Sequence, residues 1–447
     1  MIHGLLAGAY PKPIVRIEGY AGSGKSTILP FILEKLGFDP FRVSFLAPTG
    51  KAAKVMRKKL SAQNFPNPIA TTIHSAIYRA KPAPVAQLED ELEKHQIDLS
   101  MAKIDLGIAK AEGGDVGAQE RLIEKLTRAV ARLQADLHNL YLEDKISFQL
   151  NVDSPLAQSQ LIVIDEGSMV GKMMAGDLGY FNVPILVMGD PGQLPPVGDD
   201  PGLLVGTPDF FLSEVHRQAA ENPIIKLATL ARKGRELPYG DYHDPDGILR
   251  AQVVRRRDWD PDSLIEKARL SLEEDEDANL PQVLVGTNRT RYRITQMFRE
   301  GLPKGPTKNE PLIVRKNSKE HPALVNGALA KCLSDEVNLK DGDVVCRMSF
   351  MDEEGASYEN MRVFQGLFED HHAGQKNSFT ADSRSAYRAK QSSIHLDFGW
   401  ALTVHNAQGS QWDHVVLVDE SSVFKEDCDK HLYTGITRAA ETLTILV

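Results

Sequence analysis

Short apolar runs that end in polar residues recur through the first half of this chain. They are Ile14 to Ile17, Phe41 to Ala47, Leu161 to Ile164 and Pro184 to Met188. Each has the length of a buried strand, and the first two are followed by a turn and then by a segment with helical spacing. Strands that alternate with helices form parallel sheets covered by helices. The pattern therefore predicts an α/β fold.

The same pattern returns in the second half, at Val283 to Val285, Val415 to Val418 and Leu443 to Val447. A chain of 447 residues is too long for one ordinary hydrophobic core. We therefore expect two parallel-sheet domains, each with an insertion.

The first insertion is predicted to be a helical hairpin of about 70 residues between 81 and 151. Leu122, Leu126, Val130, Leu133, Leu137 and Leu140 are spaced three or four apart, which places them on one helical stripe. A looser stripe precedes the turn residues at 112–115 and comprises Leu88, Leu92, Leu99, Ile104 and Ile108. The hairpin also carries basic side chains, which we interpret as a solvated face rather than a nucleic-acid track. They are Arg121, Lys125, Arg128 and Arg132.

The second insertion, between 302 and 393, has short strand-like runs at Leu312 to Val314, Asp343 to Val345 and Met361 to Phe364. Gly, Asn and acidic clusters interrupt these runs, which is typical of turns between short strands. We expect a small β-rich insertion.

Charge and composition exclude several classes of protein. There are 52 Lys and Arg residues against 61 Asp and Glu, giving a net charge of −9, so any nucleic-acid site must be a local groove. Three scattered cysteines predict a reducing, cytoplasmic environment, and the absence of a run of about 20 apolar residues predicts no membrane association.

The segment Gly19 to Thr27 fits the phosphate-binding pattern G-x-x-x-x-G-K-[ST] between a predicted strand and a predicted helix. Its glycines let backbone N–H groups surround an anion at a helix N-terminus. Lys25 would reach the β- and γ-phosphate oxygens, and Ser26 would ligate Mg²⁺. This loop predicts binding of a nucleoside triphosphate.

An acid pair, Asp165 and Glu166, follows the buried run Leu161 to Ile164. Asp165 would hold Mg²⁺, and Glu166 could orient and deprotonate an attacking water. Gln193, after the next strand, could sense the γ-phosphate, and Pro195 and Pro196 could form a rigid wall. An Asp-Glu pair favours hydrolysis over phosphoryl transfer to a small acceptor.

Other polar residues are ambiguous when taken singly. His74 could simply belong to a capped helix start, and Arg438 could be an arginine finger or form a surface ion pair. Their order along the chain does not decide between these alternatives.

Taken together and in order, the polar segments resemble the motifs of a superfamily 1 helicase, in the RecD-like and Dda-like branch (superfamily 1B). Gly19 to Thr27 is similar to motif I, and Asp165 to Met169 to motif II. The remaining resemblances are Ala47 to Ala53 (Ia), Thr72 to Ser75 (Ib), Gly189 to Val197 (III), the neighbourhood of Arg217 and Gln218 (IV), Thr403 to Ser410 (V) and Tyr433 to Ala439 (VI).

The resemblance implies two RecA-like domains, with a helical hairpin inserted in the first and a small β-rich, SH3-like fold inserted in the second. The first domain would comprise 1–80 and 152–212, and the hairpin 81–151. The second domain would comprise 213–301 and 394–447, and the β-rich insertion 302–393. The hairpin would split strands, although its length exceeds that of the pin expected in the family, so it is also a candidate docking site for a partner protein.

The resemblance further implies ATP and Mg²⁺ as ligands. Glu166, Gln193, Arg217 and Arg438 would be catalytic, the two arginines reaching the γ-phosphate from the second domain. The nucleotide contacts would be Gly22, Ser23, Gly24, Lys25, Ser26, Thr27, Asp165, Gln408 and Gly409, with Ser26 and Asp165 on the metal. Relatives usually carry an adenine-reading glutamine before motif I, and no Gln precedes Gly19 here.

The implied partner is single-stranded DNA, bound without sequence readout by Thr49, His74, Pro195, Pro196, Thr403 and His405. The implied activity is that of a monomeric motor moving 5′ to 3′ in the cytoplasm of a bacterial or phage-infected cell. An RNA-directed helicase and a nucleotide-gated binding protein remain as alternatives. A small-molecule kinase would leave motifs III, V and VI unexplained.

Overall fold

A computed structural model of the chain describes residues 14–80, 85–111, 116–143, 148–213, 221–274, 280–318, 320–375 and 384–447. They fold into two compact units. One contains most of the chain, and the other contains Tyr78–Leu150 and Ser378–Ser392. Among the described residues, every helix is too short or too polar to span a bilayer.

Strands are numbered in chain order. They are β1 Ile14–Gly19, β2 Val43–Ala47, β3 Ala70–Thr72, β4 Tyr78–Ala80, β5 Phe148–Leu150, β6 Leu161–Ile164, β7 Ile185–Gly189, β8 Phe210–Leu212, β9 Gly240–His243, β10 Leu249–Val254, β11 Gln282–Val285, β12 Pro311–Val314, β13 Leu329–Cys332, β14 Val345–Asp352, β15 Ser357–Phe364, β16 Leu396–Phe398, β17 Ala401–Thr403, β18 Trp412–Val418 and β19 Ala439–Leu446.

The helices of the larger unit are Lys25–Leu36, Gly50–Ala62, Ile73–Ile77, Lys172–Gly179, Pro223–Arg232, Asp262–Glu274, Asn288–Phe298, Gly366–Ala373, Val404–Ala407 and Cys428–Ile436. Those of the smaller unit are Val85–Ala111, Gly117–Glu143 and Arg384–Gln391.

The first sheet has the order β3-β2-β6-β7-β1-β8, and all its strand pairs are parallel. Its core combines strand residues such as Phe45, Val163 and Leu186 with Leu29 and Met56 of the covering helices. The second sheet has the order β17-β11-β18-β19-β10-β9, parallel except for the edge strand β9. The prediction of two parallel-sheet domains in an α/β fold is confirmed.

A third, antiparallel sheet has the order β15-β14-β13-β12-β16 and packs against the second. Side chains alternate between the two faces of β11, and this alternation explains how the two sheets pack. Val283 and Val285 join a core shared with Leu312 and Phe350 of the third sheet, whereas Leu284 points to the opposite core. One face of the second sheet is thus covered by the β-rich insertion, whose last strand lies beyond residue 393.

In the smaller unit, the helices Val85–Ala111 and Gly117–Glu143 pack along each other, with Ala102 and Leu137 buried. The short antiparallel pair β4-β5 belongs to the same unit. Of the predicted leucine stripe, Leu126, Val130 and Leu133 are half-buried, whereas Leu122 is exposed. The side chain of Leu140 lies outside the described residues.

Candidate nucleotide and nucleic-acid sites

The phosphate-binding loop joins the end of β1 to the helix that begins at Lys25. Gly22 and Gly24 have φ values of 78° and 77°, in the left-handed region that favours glycine. A Cβ on Gly19 would lie 2.6 Å from Ser23 Oγ, so a side chain there would displace the loop. The glycine spacing in the sequence is therefore required by the backbone path.

The Lys25 ammonium lies inside this loop. Its Nζ donates hydrogen bonds to the carbonyl oxygens of Gly19 and Tyr20 at 2.5 and 3.0 Å. The buried hydroxyl of Ser23 has no hydrogen-bond partner. A fixed cation beside an unsatisfied donor, at a helix N-terminus, suits an anionic ligand.

The acid pair follows the fully buried strand β6. Glu166 has a left-handed backbone (φ 55°, ψ 41°), and its N–H donates to Asp165 Oδ1 at 2.9 Å. Burial and the charge of Asp165 raise the pKa of Glu166, while the positive charges of Arg438 and Lys25 oppose the rise. A carboxylate with a raised pKa is a stronger base once ionised.

A cavity of about 290 Å³ lies where the loop, the acid pair and the second sheet meet. It is lined from the first-sheet side by Ala21, Gly22, Ser23, Gly24, Lys25, Thr27, Val55, Lys59, Asp165, Glu166, Asp190 and Gln193. From the second-sheet side it is lined by Gly409, Ser410, Gln411, Thr437 and Arg438. The predicted nucleotide residues of both domains are thus brought together, with three exceptions described below.

Arg438 lines this cavity although only 6% of its surface is exposed. Its guanidinium is oriented by hydrogen bonds of 3.1 Å to the carbonyl oxygens of Thr434 and Ser410 and to Thr437 Oγ1. A buried, preorganised cation facing an acid pair is the geometry of an arginine finger rather than of a surface ion pair.

The three exceptions are Arg217, Ser26 and Gln408. Arg217 lies outside the described residues, as does the side chain of Ser26. Gln408 lines a different cavity, and its Nε2 donates to the Leu194 carbonyl oxygen at 3.2 Å. This hydrogen bond joins the segment predicted as motif V to the one predicted as motif III, and the nucleotide contact of Gln408 stays a prediction.

Gln193 lines the nucleotide cavity, and its buried amide oxygen Oε1 has no hydrogen-bond partner. Beside it, Asp190 accepts hydrogen bonds from Gly192 N–H at 2.9 Å and from Tyr433 Oη at 2.6 Å. The same Tyr433 oxygen accepts from Ala21 N–H at 2.9 Å. Burial and the Asp190 charge raise the pKa of Tyr433, so its hydroxyl stays protonated and bridges the two sheets.

A second cavity, of about 240 Å³, contains four of the six predicted nucleic-acid residues, namely Thr49, Pro195, Pro196 and His405. Its other lining side chains include the cations Lys51 and Arg315, which are contributed by different sheets, and Asn326 and Asn406. Cations and amides suit contacts to a phosphodiester backbone. Burial lowers the pKa of His405, so its imidazole is neutral near pH 7.

Among the described residues, Thr403 and His74 do not line this cavity. Thr403 is buried, and its hydroxyl accepts a hydrogen bond from Asn406 N–H at 3.3 Å, which caps the helix Val404–Ala407. His74 lies on the helix Ile73–Ile77, and burial lowers its pKa. Thr403 therefore positions His405, as a capping residue does.

The sequence predictions did not assign site roles to Asp190, Tyr433, Lys51 or Arg315. Asp190 follows a buried strand, as Asp165 does, so the same signal was available. Tyr433 lies in the segment that resembles motif VI, but its contact with Asp190 joins segments remote in sequence, and Arg315 carried no local signal.

These residues fit a nucleoside triphosphate: Lys25 and Arg438 bring positive charge to the cavity lining, and the buried Ser23 hydroxyl is a donor without a partner. Within the described parts of the chain, no cluster of three or more His, Cys, Asp or Glu side chains could hold a metal ion by itself. Asp165 could ligate Mg²⁺ that arrives with the phosphates.

Comparison with known proteins identifies two family models, in order along the chain. The AAA domain model matches residues 5–199, and the UvrD-like helicase C-terminal domain model matches residues 398–446. The matched regions contain the phosphate-binding loop and acid pair in the first case and Gln408 and Arg438 in the second.

Two curated proteins are similar over much of the chain. The ATP-dependent RecD2 DNA helicase of Deinococcus radiodurans is 24% identical over 355 residues, covering 75% of this chain and 43% of that protein. An uncharacterized protein of Methanocaldococcus jannaschii is 23% identical over 492 residues, covering 96% of this chain and 36% of that protein. The chain thus spans less than half the length of either relative.

Two solved structures are also similar. Bacteroides Pif1 bound to single-stranded DNA has a TM-score of 0.48 at 15% identity, covering 100% of this chain and 91% of that chain. The Pif1 helicase from Candida albicans has a TM-score of 0.42 at 17% identity, covering 100% of this chain and 94% of that chain.

Proposed function

This chain belongs to the superfamily 1 helicases, in the RecD-like branch, and from that premise we propose that it couples ATP hydrolysis to movement along single-stranded DNA and to strand separation. One observation carries the proposal. The loop lysine and the acid pair of the first sheet converge with Arg438 of the second sheet on one cavity.

In the proposed hydrolysis, Glu166 accepts a proton from water while the water oxygen attacks the γ-phosphorus. The bond between the γ-phosphorus and the bridging oxygen breaks, which releases ADP and phosphate. Lys25 and Arg438 stabilise the charge that develops on the phosphate oxygens, and Gln193 orients the γ-phosphate by donating from its amide N–H₂ group. Asp165 and Ser26 would hold Mg²⁺, which would neutralise part of the phosphate charge.

Coupling of hydrolysis to movement is supported by the shared loop between Asp190 and Val197. Asp190 and Gln193 line the nucleotide cavity, and Pro195, Pro196 and Val197 line the second cavity a few residues later. Loss of the γ-phosphate on hydrolysis would therefore move the wall of the second cavity, where the nucleic-acid strand is proposed to bind.

We propose DNA as the bound nucleic acid because the similar RecD2 protein of Deinococcus radiodurans is a DNA helicase. The direction, 5′ to 3′, is the one that the RecD-like branch implies. Binding would use phosphate contacts from Thr49, Lys51, Arg315 and His405, without sequence readout.

Strand displacement tests this function. Duplexes with a 5′ DNA tail, a 3′ DNA tail or a 5′ RNA tail are incubated with the chain and ATP, and product is followed by gel electrophoresis. Unwinding only of the 5′ DNA-tailed duplex is expected. Unwinding of the RNA-tailed duplex alone would identify an RNA-directed helicase, and ATP hydrolysis that neither DNA nor RNA stimulates would exclude a motor.

A further inference from the structure

The helix Val85–Ala111 carries two apolar faces instead of one. The first is half-buried or buried in the smaller unit and includes Leu92, Leu99, Ala102 and Leu106. The second is exposed, and its residues are Ile97 (54% exposed), Met101 (61%), Ile104 (64%) and Ile108 (52%). Exposed positions of an ordinary surface helix are polar, so the second face requires an explanation.

We call these four residues the outer seam. Their spacing of four, three and four residues is that of one coiled-coil interface, with β-branched side chains at three of four positions. The seam extends over roughly 16 Å of helix. Its exposed apolar area is on the order of 400 Å², a size at which a surface patch is often functional.

The two flanks of the outer seam differ. One flank has an acidic row at seven-residue intervals, formed by the exposed residues Glu91, Asp98 and Asp105. The other flank has the small exposed residues Ser100 and Gly107, and the space around Gly107 is open. A small flank allows a second helix to approach closely, and an acidic flank favours a partner with basic residues on that side.

We propose that the outer seam docks an amphipathic helix of a partner protein whose apolar stripe is flanked by Lys and Arg. The acidic row disfavours the other occupants. Nucleic acid and anionic lipid surfaces both require a basic face. A second copy of this helix packed antiparallel would place one acidic row against the other.

Within the smaller unit, one basic helix of the chain forms an ion pair with the helix that carries the outer seam. Arg388, on the helix Arg384–Gln391, donates from Nη2 to Glu89 Oε2 at 3.1 Å. The carboxylate of Glu89 is 6% exposed and lies on the helix that carries the outer seam, on the side of Ser100 and Gly107. This ion pair shows that the seam-bearing helix contacts an arginine of a neighbouring helix, on the flank opposite the acidic row.

A synthetic peptide tests the proposal with the full chain. The probe is a fluorescein-labelled helix of about three heptads with leucines at the seam positions and Lys or Arg at the flanks. Matched peptides have Glu at the flanks, or the same composition with the leucines rearranged. We expect fluorescence anisotropy to show at least about tenfold tighter binding of the basic peptide than of either control.

Variants of the chain then assign the site. Ile104→Glu should weaken binding of the basic peptide about tenfold or more, and Asp98→Asn with Asp105→Asn should weaken it and reduce its salt dependence. Gln134→Glu, at an exposed position of the other long helix, is the matched control and should bind as the parent does. Because Ile104 is exposed, circular dichroism should show unchanged helicity in all variants.

Four results would overturn the proposal. They are equal affinity for the basic and acidic peptides, parental affinity in Ile104→Glu, a parent dimer that Ile104→Glu dissociates in light scattering, and sedimentation with phosphatidylglycerol vesicles that depends on Ile104. The outer seam contains no residue of the proposed motor, so this test is independent of the strand-displacement result.

Discussion

Glu166 combines two features that are unfavourable unless the surrounding structure maintains them: a left-handed backbone and a carboxylate beside another acid. A non-glycine residue in that backbone region costs of order 1 kcal/mol and is concentrated at functional sites. Lys25 and Arg438 offset the charge repulsion in the same cavity. We therefore propose that Glu166 takes the proton from water and that Asp165 holds Mg²⁺.

Replacing Glu166 with Gln should abolish hydrolysis and leave nucleotide binding nearly unchanged, because the amide keeps the shape but cannot accept the proton. Turnover should fall by at least about 100-fold, measured by phosphate release, while the Kd of a fluorescent ATP analogue changes by less than about threefold. Glu34→Gln, at an exposed position, is the control. Loss of analogue binding would show that Glu166 is structural.

The raised pKa of Glu166 also predicts the pH dependence of hydrolysis. A protonated Glu166 cannot act as a base, so the rate should fall as pH decreases through its pKa. Since burial and Asp165 raise that pKa, the acid limb should lie above the usual range of a glutamate. Single-turnover rates between pH 4 and 9 measure it, and an acid limb at an ordinary carboxyl pKa would contradict the assignment.

At the scale of elements, the turn between β14 and β15 contacts the helix that follows Thr49. Asp352 Oδ1 accepts hydrogen bonds from Glu354 N–H and Ala356 N–H, which fixes the turn. Glu353 then pairs with Lys51 at 3.2 Å and with Lys54 at 2.9 Å, and Glu354 pairs with Lys54 at 3.0 Å. Glu353 thus neutralises Lys51, which is one of the proposed phosphate contacts, and both carboxylates pair with the buried Lys54.

Neutralising the turn should therefore strengthen DNA binding. Glu353→Gln with Glu354→Gln should lower the Kd for a single-stranded oligonucleotide about threefold to tenfold, the range expected for two or three partly exposed ion pairs. Glu359→Gln, an exposed change on β15, should have no such effect. Fluorescence anisotropy at two salt concentrations measures this, and weaker binding would show that the turn itself contacts DNA.

The sequence predicts elements well where their signal is local. The strand, loop and helix around Lys25 and the strand before Asp165 could be predicted because apolar runs and glycine spacing reflect neighbouring residues. The helix Val85–Ala111 shows where prediction from local spacing fails. Ile104 and Ile108 belong to its apolar pattern, yet both are exposed, since helical spacing alone does not separate a packed face from a second one.

At the scale of the molecule, the two sheets are joined across the nucleotide cavity by contacts that sequence reasoning could not predict. Tyr433 lies 243 positions from Asp190, and Leu194 N–H donates to Thr434 Oγ1 at 3.0 Å across a similar separation. Arg232 stacks on the Tyr20 ring at 3.3 Å. The motifs indicate the segments that contain Tyr433 and Asp190, but no local pattern indicates which side chains pair across the two sheets.

These contacts between the sheets could couple nucleotide binding to DNA binding. Thermodynamics requires such coupling to be reciprocal. If DNA changes the affinity for a non-hydrolysable ATP analogue by some factor, the analogue must change the affinity for DNA by the same factor. Tyr433 contacts the phosphate-binding loop through Ala21 and the predicted motif III loop through Asp190. It therefore connects the second-sheet domain, which carries Arg438, to both loops.

Tyr433→Phe removes these two hydrogen bonds and keeps the ring. We expect the coupling factor, measured by titrating each ligand in the presence and absence of the other, to fall toward one in both directions, with the affinity for the analogue alone changing less than about threefold. Loss of a buried partner for Asp190 should cost roughly 1 to 3 kcal/mol of unfolding free energy. Tyr239→Phe, on an exposed ring, is the control. A Tyr433→Phe chain that is destabilised but retains full coupling would show that Tyr433 stabilises the contact between the sheets without transmitting the state of the nucleotide.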